Sequence, residues 1–231
     1  MKFSLSQRIA AEFLGTAFLV AAVVGSGIMG ERLSGGNVAI ALLANTIATG
    51  AALAALILAL RPISGAHLNP VVSMTEARRG GISWKEAAIY VASQVTGGIA
   101  GTACADFMFA LPAFSVSHHA RTGAAQWFSE FIATFGLLLV ISAVARFASD
   151  WLPFAVAAYI VAAYWFTSST SFANPAVAIA RSLTDTFAGI RPVDVPAFLA
   201  AQLAGGFSAM FVADWLISRP DEPRVEPRIE P

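Results

Sequence analysis

The sequence predicts an all-α integral membrane protein: six transmembrane helices and two re-entrant half-helices, arranged as an inverted internal repeat. Three observations carry this reading. First, 57% of the 231 residues are hydrophobic and only 12% are charged, where a soluble domain carries about 25% charged residues. The mean hydropathy of +0.70 agrees, and the apolar residues fall in long uncharged runs, the pattern of membrane spans. Second, two Asn-Pro pairs, Asn69-Pro70 and Asn174-Pro175, occupy matching places in the two halves. Third, the Lys and Arg residues divide unevenly between the two sides of a six-span arrangement.

The spans are expected near 9–30, 37–60, 84–110, 126–147, 152–170 and 194–217. Each approaches the roughly 20 residues that cross a bilayer. The first run ends without a small-residue cleavage site and other spans follow, so it reads as a retained helix rather than a removed signal. The fifth begins at Pro153 and ends among Ser and Thr. With both termini in the cytoplasm, the inner side carries Lys2, Arg8, Arg61, Arg78, Arg79, Lys85, Arg146, Arg219, Arg224 and Arg228. The outer side carries Arg32, Arg121, Arg181 and Arg191. Ten against four satisfies the positive-inside rule. The tail RPDEPRVEPRIEP has four prolines and alternating charge. It cannot continue a helix, and residues 220–231 read as a disordered cytoplasmic tail. The rest, 1–219, reads as one channel domain with repeats at 8–110 and 126–217. A net charge of zero suggests no nucleic-acid partner. Cys104 is the one cysteine. It excludes an internal disulfide and a cysteine metal cluster, and its apolar run suggests a buried thiol. No metal or cofactor site is expected.

The repeat is visible residue by residue. Glu12 opens AEFLGTAFLV, Asn69-Pro70 follows, and Gln94 begins QVTGG. In the second half Glu130 opens EFIATFGLLLV, Asn174-Pro175 follows, and Gln202 begins QLAGG. Three spans per half is an odd number, so the halves insert in opposite directions. Such inverted repeats build solute pathways at the bilayer midplane.

One segment in each half is too short to span. ISGAHLNPVVSMTEARRGG and FTSSTSFANPAVAIARSLTD start with small and polar residues and become helical at Asn-Pro. Asn is a preferred N-cap, and Pro suits the first helical position. A helix from Pro70 to about Gly80 is roughly 16 Å long, about half the 30 Å hydrocarbon core. Inverted, the two half-helices enter from opposite faces and their N-termini meet at the centre. Irregular backbone at that depth survives only inside protein or beside water, so residues 61–69 and 168–174 are expected to line a cavity with carbonyl acceptors. The helix N-termini add partial positive charge, about +0.5 each. Such a path suits small uncharged polar solutes and disfavours cations.

These features resemble the aquaporin and aquaglyceroporin superfamily, the major intrinsic proteins. The matching residues are SGAHLNP at 64–70, ANPA at 173–176, Glu12, Glu130, Gln94 and Gln202, and the likeness runs over residues 8–217. The resemblance implies a passive channel rather than an enzyme, a homotetramer with one pore per subunit, and a place in the bacterial inner membrane. It implies that Glu12 and Glu130 hold the half-helix loops. It also assigns the pore motifs to Asn69, Pro70, Val71, Asn174, Pro175 and Ala176, where Val71 departs from the family's Ala. The filter positions would be Thr49, Ala162, Ser171 and Val177, with Ala162 resting on a gap-free loop. The family usually has Arg at the position of Val177. Four small residues without that Arg imply a wide, partly apolar constriction for glycerol-sized solutes. The stretch ANPAVAIARSLTDTFAGI is similar to bacterial aquaglyceroporins associated with arsenic resistance, which implies arsenite, methylarsenicals, glycerol and some water as cargo. A general water, glycerol and urea channel is the alternative, and a secondary transporter is the competing class.

Other residues carry open readings. His67 either braces its loop or lines the pore as a pH-sensitive group. Arg181 lies four residues after Val177, on the same helix face, and either bonds local carbonyls or Asp185, or restores charge at the outer mouth. His118-His119 lacks a neighbouring Cys or carboxylate in sequence, which argues against a metal site. Gly97-xxx-Gly101 and Gly205-xxx-Ala209 are close-packing pairs, expected between the repeats.

Overall fold

The computed structural model describes residues 3–218, so the tail at 220–231 and the charges at Lys2, Arg219, Arg224 and Arg228 lie outside it. Among the described residues there are eight α-helices: α1 (Leu5–Leu33), α2 (Val38–Ser64), α3 (Pro70–Arg78), α4 (Trp84–Met108), α5 (Ala124–Phe147), α6 (Leu152–Phe166), α7 (Pro175–Arg181) and α8 (Val195–Ile217). Four stretches are long and apolar enough to cross a membrane: Leu5–Leu33, Val38–Ser64, Ala124–Phe147 and Pro192–Ile217.

Local chemistry sets the ends. α1 starts at Leu5 because Ser4 and Gln7 form a capping box, each bonding the other's backbone N–H. α2 runs past Pro62 to Ser64, beyond the expected end at 60, and stops where Gly65 turns left-handed at φ 93°. That conformation is open to glycine without steric cost. α6 ends at Phe166 instead of 170, because Thr167 is already extended and Thr170 and Ser171 have positive φ.

The packing repeats itself. In the first half α1 lies against α2 and α4, and in the second α5 lies against α6 and α8. α2 packs on α6, α3 touches α4 and α8, and α7 touches α8 and α4. The small-residue pairs act within each repeat, not between them as expected. A Cβ on Gly97 would collide with the Phe13 carbonyl of α1, and one on Gly205 with the Phe131 carbonyl of α5. The contacts between repeats fall one residue later, where Gly98 faces Ala176 and Ala180, and Gly206 faces Val71.

Large apolar side chains cover the outside. Phe107 is 81% exposed and Trp215 77%, an outer surface suited to lipid rather than water. Cys104 shares that surface. The expectation of a buried thiol is corrected: an apolar run in a membrane helix has a lipid face as well as a core face.

Candidate functional site

The two short helices meet end to end in the middle of the bundle. Asn69 Oδ1 accepts from Val71 N at 3.0 Å and caps α3. Asn174 Oδ1 accepts from Ala176 N at 3.0 Å and Val177 N at 3.3 Å and caps α7. Capping orients each side chain so that its amide reaches across to the other loop. Asn69 Nδ2 donates to the Ala173 carbonyl at 2.8 Å, and Asn174 Nδ2 donates to the Leu68 carbonyl at 2.7 Å. Each primary amide has two N–H donors, so each Asn keeps one beyond this bond.

The loops before the caps are held in a costly conformation. Ala66, Leu68, Ser171 and Ala173 have φ of 49°, 49°, 50° and 47°, values that L-residues adopt at a cost of order 1–3 kcal/mol each. Buried carboxylates hold them there. Glu12 accepts from His67 N at 2.9 Å and Leu68 N at 2.7 Å, and also from Ser64 Oγ and Gln94 Nε2. Glu130 accepts from Phe172 N and Ala173 N, both at 2.9 Å, and from Gln202 Nε2 at 2.6 Å. With their N–H groups turned to the carboxylates, both loops border the central cavity.

The correspondence between halves extends outward. His67 meets Tyr90 edge-on at 5.4 Å, and Phe172 meets Phe198 edge-on at 5.2 Å. Arg79 at the end of α3 pairs with Asp214 on α8, while Thr184 after α7 donates to Asp106 on α4. His67 Nδ1 lies 3.0 Å from Ser73 Oγ, which accepts from Gln94 Nε2, so the imidazole is tied to its loop network while also lining the cavity.

The cavity encloses about 340 Å³, within the range of small-molecule sites. Its walls follow helical stripes: Thr49, Leu53, Ile57 and Arg61 on α2, and Leu152, Val156, Ile160 and Tyr164 on α6. Every step is four residues, and each stripe is about 18 Å long. α2 and α6 run antiparallel: Tyr164 hydroxyl donates to Thr49 Oγ1 at one end, and Arg61 donates to the Ser149 carbonyl at the other. Asn69 and Asn174 line the cavity, whereas Pro70, Pro175, Val71 and Ala176 are buried behind it.

Of the expected filter positions, Thr49, Ser171 and Val177 line the cavity. Ala162 does not: it is on the exposed face of α6. The gap-free count from Asn174 misplaces this position, because the stripe through Leu152, Val156 and Ile160 continues to Tyr164. The lining near Thr49 therefore includes the Tyr164 ring. The α6 stripe of apolar residues four apart was the signal in the sequence. Ser171 Oγ is buried, borders the cavity and has no hydrogen-bond partner among the described residues.

The α7 end of the cavity is cationic. Arg181 lines the cavity and is 2% exposed. Its Nε donates to the Ala188 carbonyl, and its guanidinium lies 3.4 Å from the centre of the Phe172 ring. Arg121 stacks 5.0 Å from the same ring and donates to the Gly189 carbonyl at 2.8 Å. Asp185 is engaged elsewhere: it accepts from the His118 amide at 2.8 Å and pairs with the His118 ring at 3.0 Å. Those bonds hold the Asp185 carboxyl below its ordinary value. No group of three or more metal-ligating side chains occurs among the described residues.

Residues 1–170 match the model of the major intrinsic protein family. The chain is 52% identical to the aquaglyceroporin AqpS of Rhizobium meliloti (strain 1021), over all of this chain and 99% of that protein. It is 35% identical to the aquaporin NIP3-1 of Oryza sativa subsp. japonica over 62% of this chain and 46% of that one. Among solved structures, the aquaglyceroporin from Plasmodium falciparum superposes with a TM-score of 0.74 at 25% identity, covering 93% of this chain and 97% of that one.

Proposed function

The chain belongs to the major intrinsic protein family, whose members are channels and not enzymes, and we propose that it is an aquaglyceroporin-type channel for arsenite, methylated arsenicals and glycerol-like solutes, with some water. At the coarser level, the family and its aquaglyceroporin relatives support a passive path for small neutral solutes. The feature that supports the finer reading is the lining of the cavity at its α7 end, which we read as the outer constriction. Thr49, Tyr164, Ser171 and Val177 combine three hydroxyls with an apolar isopropyl group and an aromatic face. A polyol, or an undissociated metalloid acid that resembles one, presents hydroxyls and lone pairs to the first and its apolar edge to the second. Val177 leaves the position after the second Asn-Pro motif without a long cation, which widens the aperture for such solutes.

In this reading α1, α2, α4, α5, α6 and α8 cross the bilayer, and α3 and α7 are the re-entrant half-helices. The repeats 8–110 and 126–217 form one channel unit with both termini in the cytoplasm of a bacterial inner membrane. Four such units assemble, each with its own pore. Solute passes the Asn69 and Asn174 amides at the midplane, exchanging water for the free N–H donors and the carbonyls of the two loops. Glu12 and Glu130 serve as loop supports rather than proton relays, because every oxygen of both carboxylates already accepts a hydrogen bond.

The test is uptake into proteoliposomes of a panel comprising water, glycerol, urea, arsenite and a methylarsenical, with wild type and Val177→Arg. Uptake of arsenite and methylarsenical at rates comparable with glycerol, and a larger loss for these than for water in Val177→Arg, is the expected result. Permeation of water alone, or equal losses for all solutes, would remove the substrate and filter assignments.

A further inference from the structure

Resting on the channel reading above, we propose that Arg181 is the cation-rejecting residue of this pore, acting one helical turn beyond the position where Val177 stands. Four observations carry it. Val177 and Arg181 are four residues apart on α7, hence on one face, and both line the cavity. Arg181 is set about 6 Å further along the axis at 1.5 Å per residue. It is 2% exposed and is fixed by the Ala188 carbonyl and the Phe172 ring. A planar, permanently charged guanidinium suits that combination of stacking and carbonyl bonding, which an ammonium cannot reproduce.

The charge is not cancelled by the acids around it. Asp185 is committed to His118, Asp194 to Arg191 and the Arg121 amide, and Asp106 to Thr184. Glu130 is bonded to Phe172 N, Ala173 N and Gln202. Among the described residues no carboxylate forms an ion pair with Arg181. Arg121, on the same ring, adds a second positive charge without lining the cavity. The arrangement separates two tasks. Val177 and Tyr164 define the aperture, and the cation sits to one side of it, so the opening need not be narrowed to hold a charge.

The experiment measures cation leak and glycerol flux in the same proteoliposomes, with an internal pH dye, an internal sodium dye and light scattering. The readout is the ratio of leak to glycerol flux. Arg181→Gln is expected to raise that ratio about tenfold or more, as removal of one charge some 10 Å away or nearer does at an effective dielectric near 20. Arg181→Lys, which keeps the charge but not the fork, is expected to stay within about threefold of wild type, a rescue that a purely structural role would not give. Val177→Glu places a carboxylate one turn away on the same face, where it pairs with Arg181, and is expected to raise the ratio as Arg181→Gln does. It decides the matter if Arg181→Gln does not assemble. An unchanged ratio in Arg181→Gln or Val177→Glu, or a wild type as leaky as either, overturns the assignment. A wild type that passes no neutral solute would instead overturn the channel reading, so the two failures are distinct.

Discussion

Replacing Glu12 by Ala removes the acceptor for two backbone N–H groups, those of His67 and Leu68, in a loop with positive φ at Ala66 and Leu68. Gln94 still donates to Ser73, so the two backbone amides carry most of the cost. An unsatisfied buried donor costs about 1–3 kcal/mol, giving about 2–6 kcal/mol in all. In a chain of this size that lowers the melting temperature by on the order of 10 °C, at about 2–4 °C per kcal/mol. Glu12→Gln is a finer probe. It presents one amide nitrogen where an acceptor stood, but Gln94 Oε1 has no partner among the described residues. A flip of the Gln94 amide would accept from the new nitrogen and leave one backbone N–H stranded. The expected loss is about half that of Glu12→Ala, about 1–3 kcal/mol. Thermal unfolding of detergent-purified protein followed by size-exclusion fluorescence reads the order wild type, Gln, Ala, with glycerol flux falling in step. Equal losses for the two variants, or neither differing from wild type by more than about 2 °C, would refute the loop-support role.

Gly206→Ala drives a methyl into Val71 Cγ1 and is expected to cost about 1–3 kcal/mol as overpacking; Val71→Ala should relieve most of it, which a double-mutant cycle in melting temperature measures. Tyr164→Ala opens the α6 side of the constriction, and flux of a four-carbon polyol should rise relative to glycerol, whereas Ala162→Phe, on the exposed face, should leave that ratio alone. Bonds from His118 hold the Asp185 carboxyl below its ordinary value, so their contribution is present above pH 3.8 and is lost as pH falls through the lower folded value. Hydrogen exchange at residues 115–119 should therefore stay protected from pH 7 down to the carboxylate range and open only below it, and His118→Ala should move that opening upward.

The parts of the fold most readable in sequence were those where one residue type has one local job. Asn69 and Asn174 cap helices and Pro70 and Pro175 follow them, so the half-helices were visible as motifs. Glu12, Gln94, Glu130 and Gln202 are polar groups in apolar runs, and such groups need partners, which the structure provides at 2.6–2.9 Å. Positions fixed by register were harder to read. Ala162 and Tyr164 differ by two residues in a loop-adjacent helix, and a count from Asn174 cannot tell which side of α6 turns inward. The glycine pairs stand out in the sequence, but the neighbour each one approaches depends on helix rotation: Gly97 meets α1 and Gly98 meets α7. The positive φ of Ala66, Leu68, Ser171 and Ala173 left no trace in residue type, since tertiary bonds to Glu12 and Glu130 impose it. The spacing of Arg181 from Val177 is plain in the sequence, but only the packing of Phe172 and Ala188 distinguishes a cavity-lining cation from one turned to a carboxylate.

In the proposed channel, passive passage of solute between the two Asn-capped helix ends is open to direct test. Its most direct measurement is the initial rate of glycerol entry into proteoliposomes as concentration is raised, with and without imposed proton and sodium gradients. A rate that grows in proportion to concentration and ignores both gradients is expected. Saturation at low concentration together with uphill accumulation driven by either gradient would contradict it.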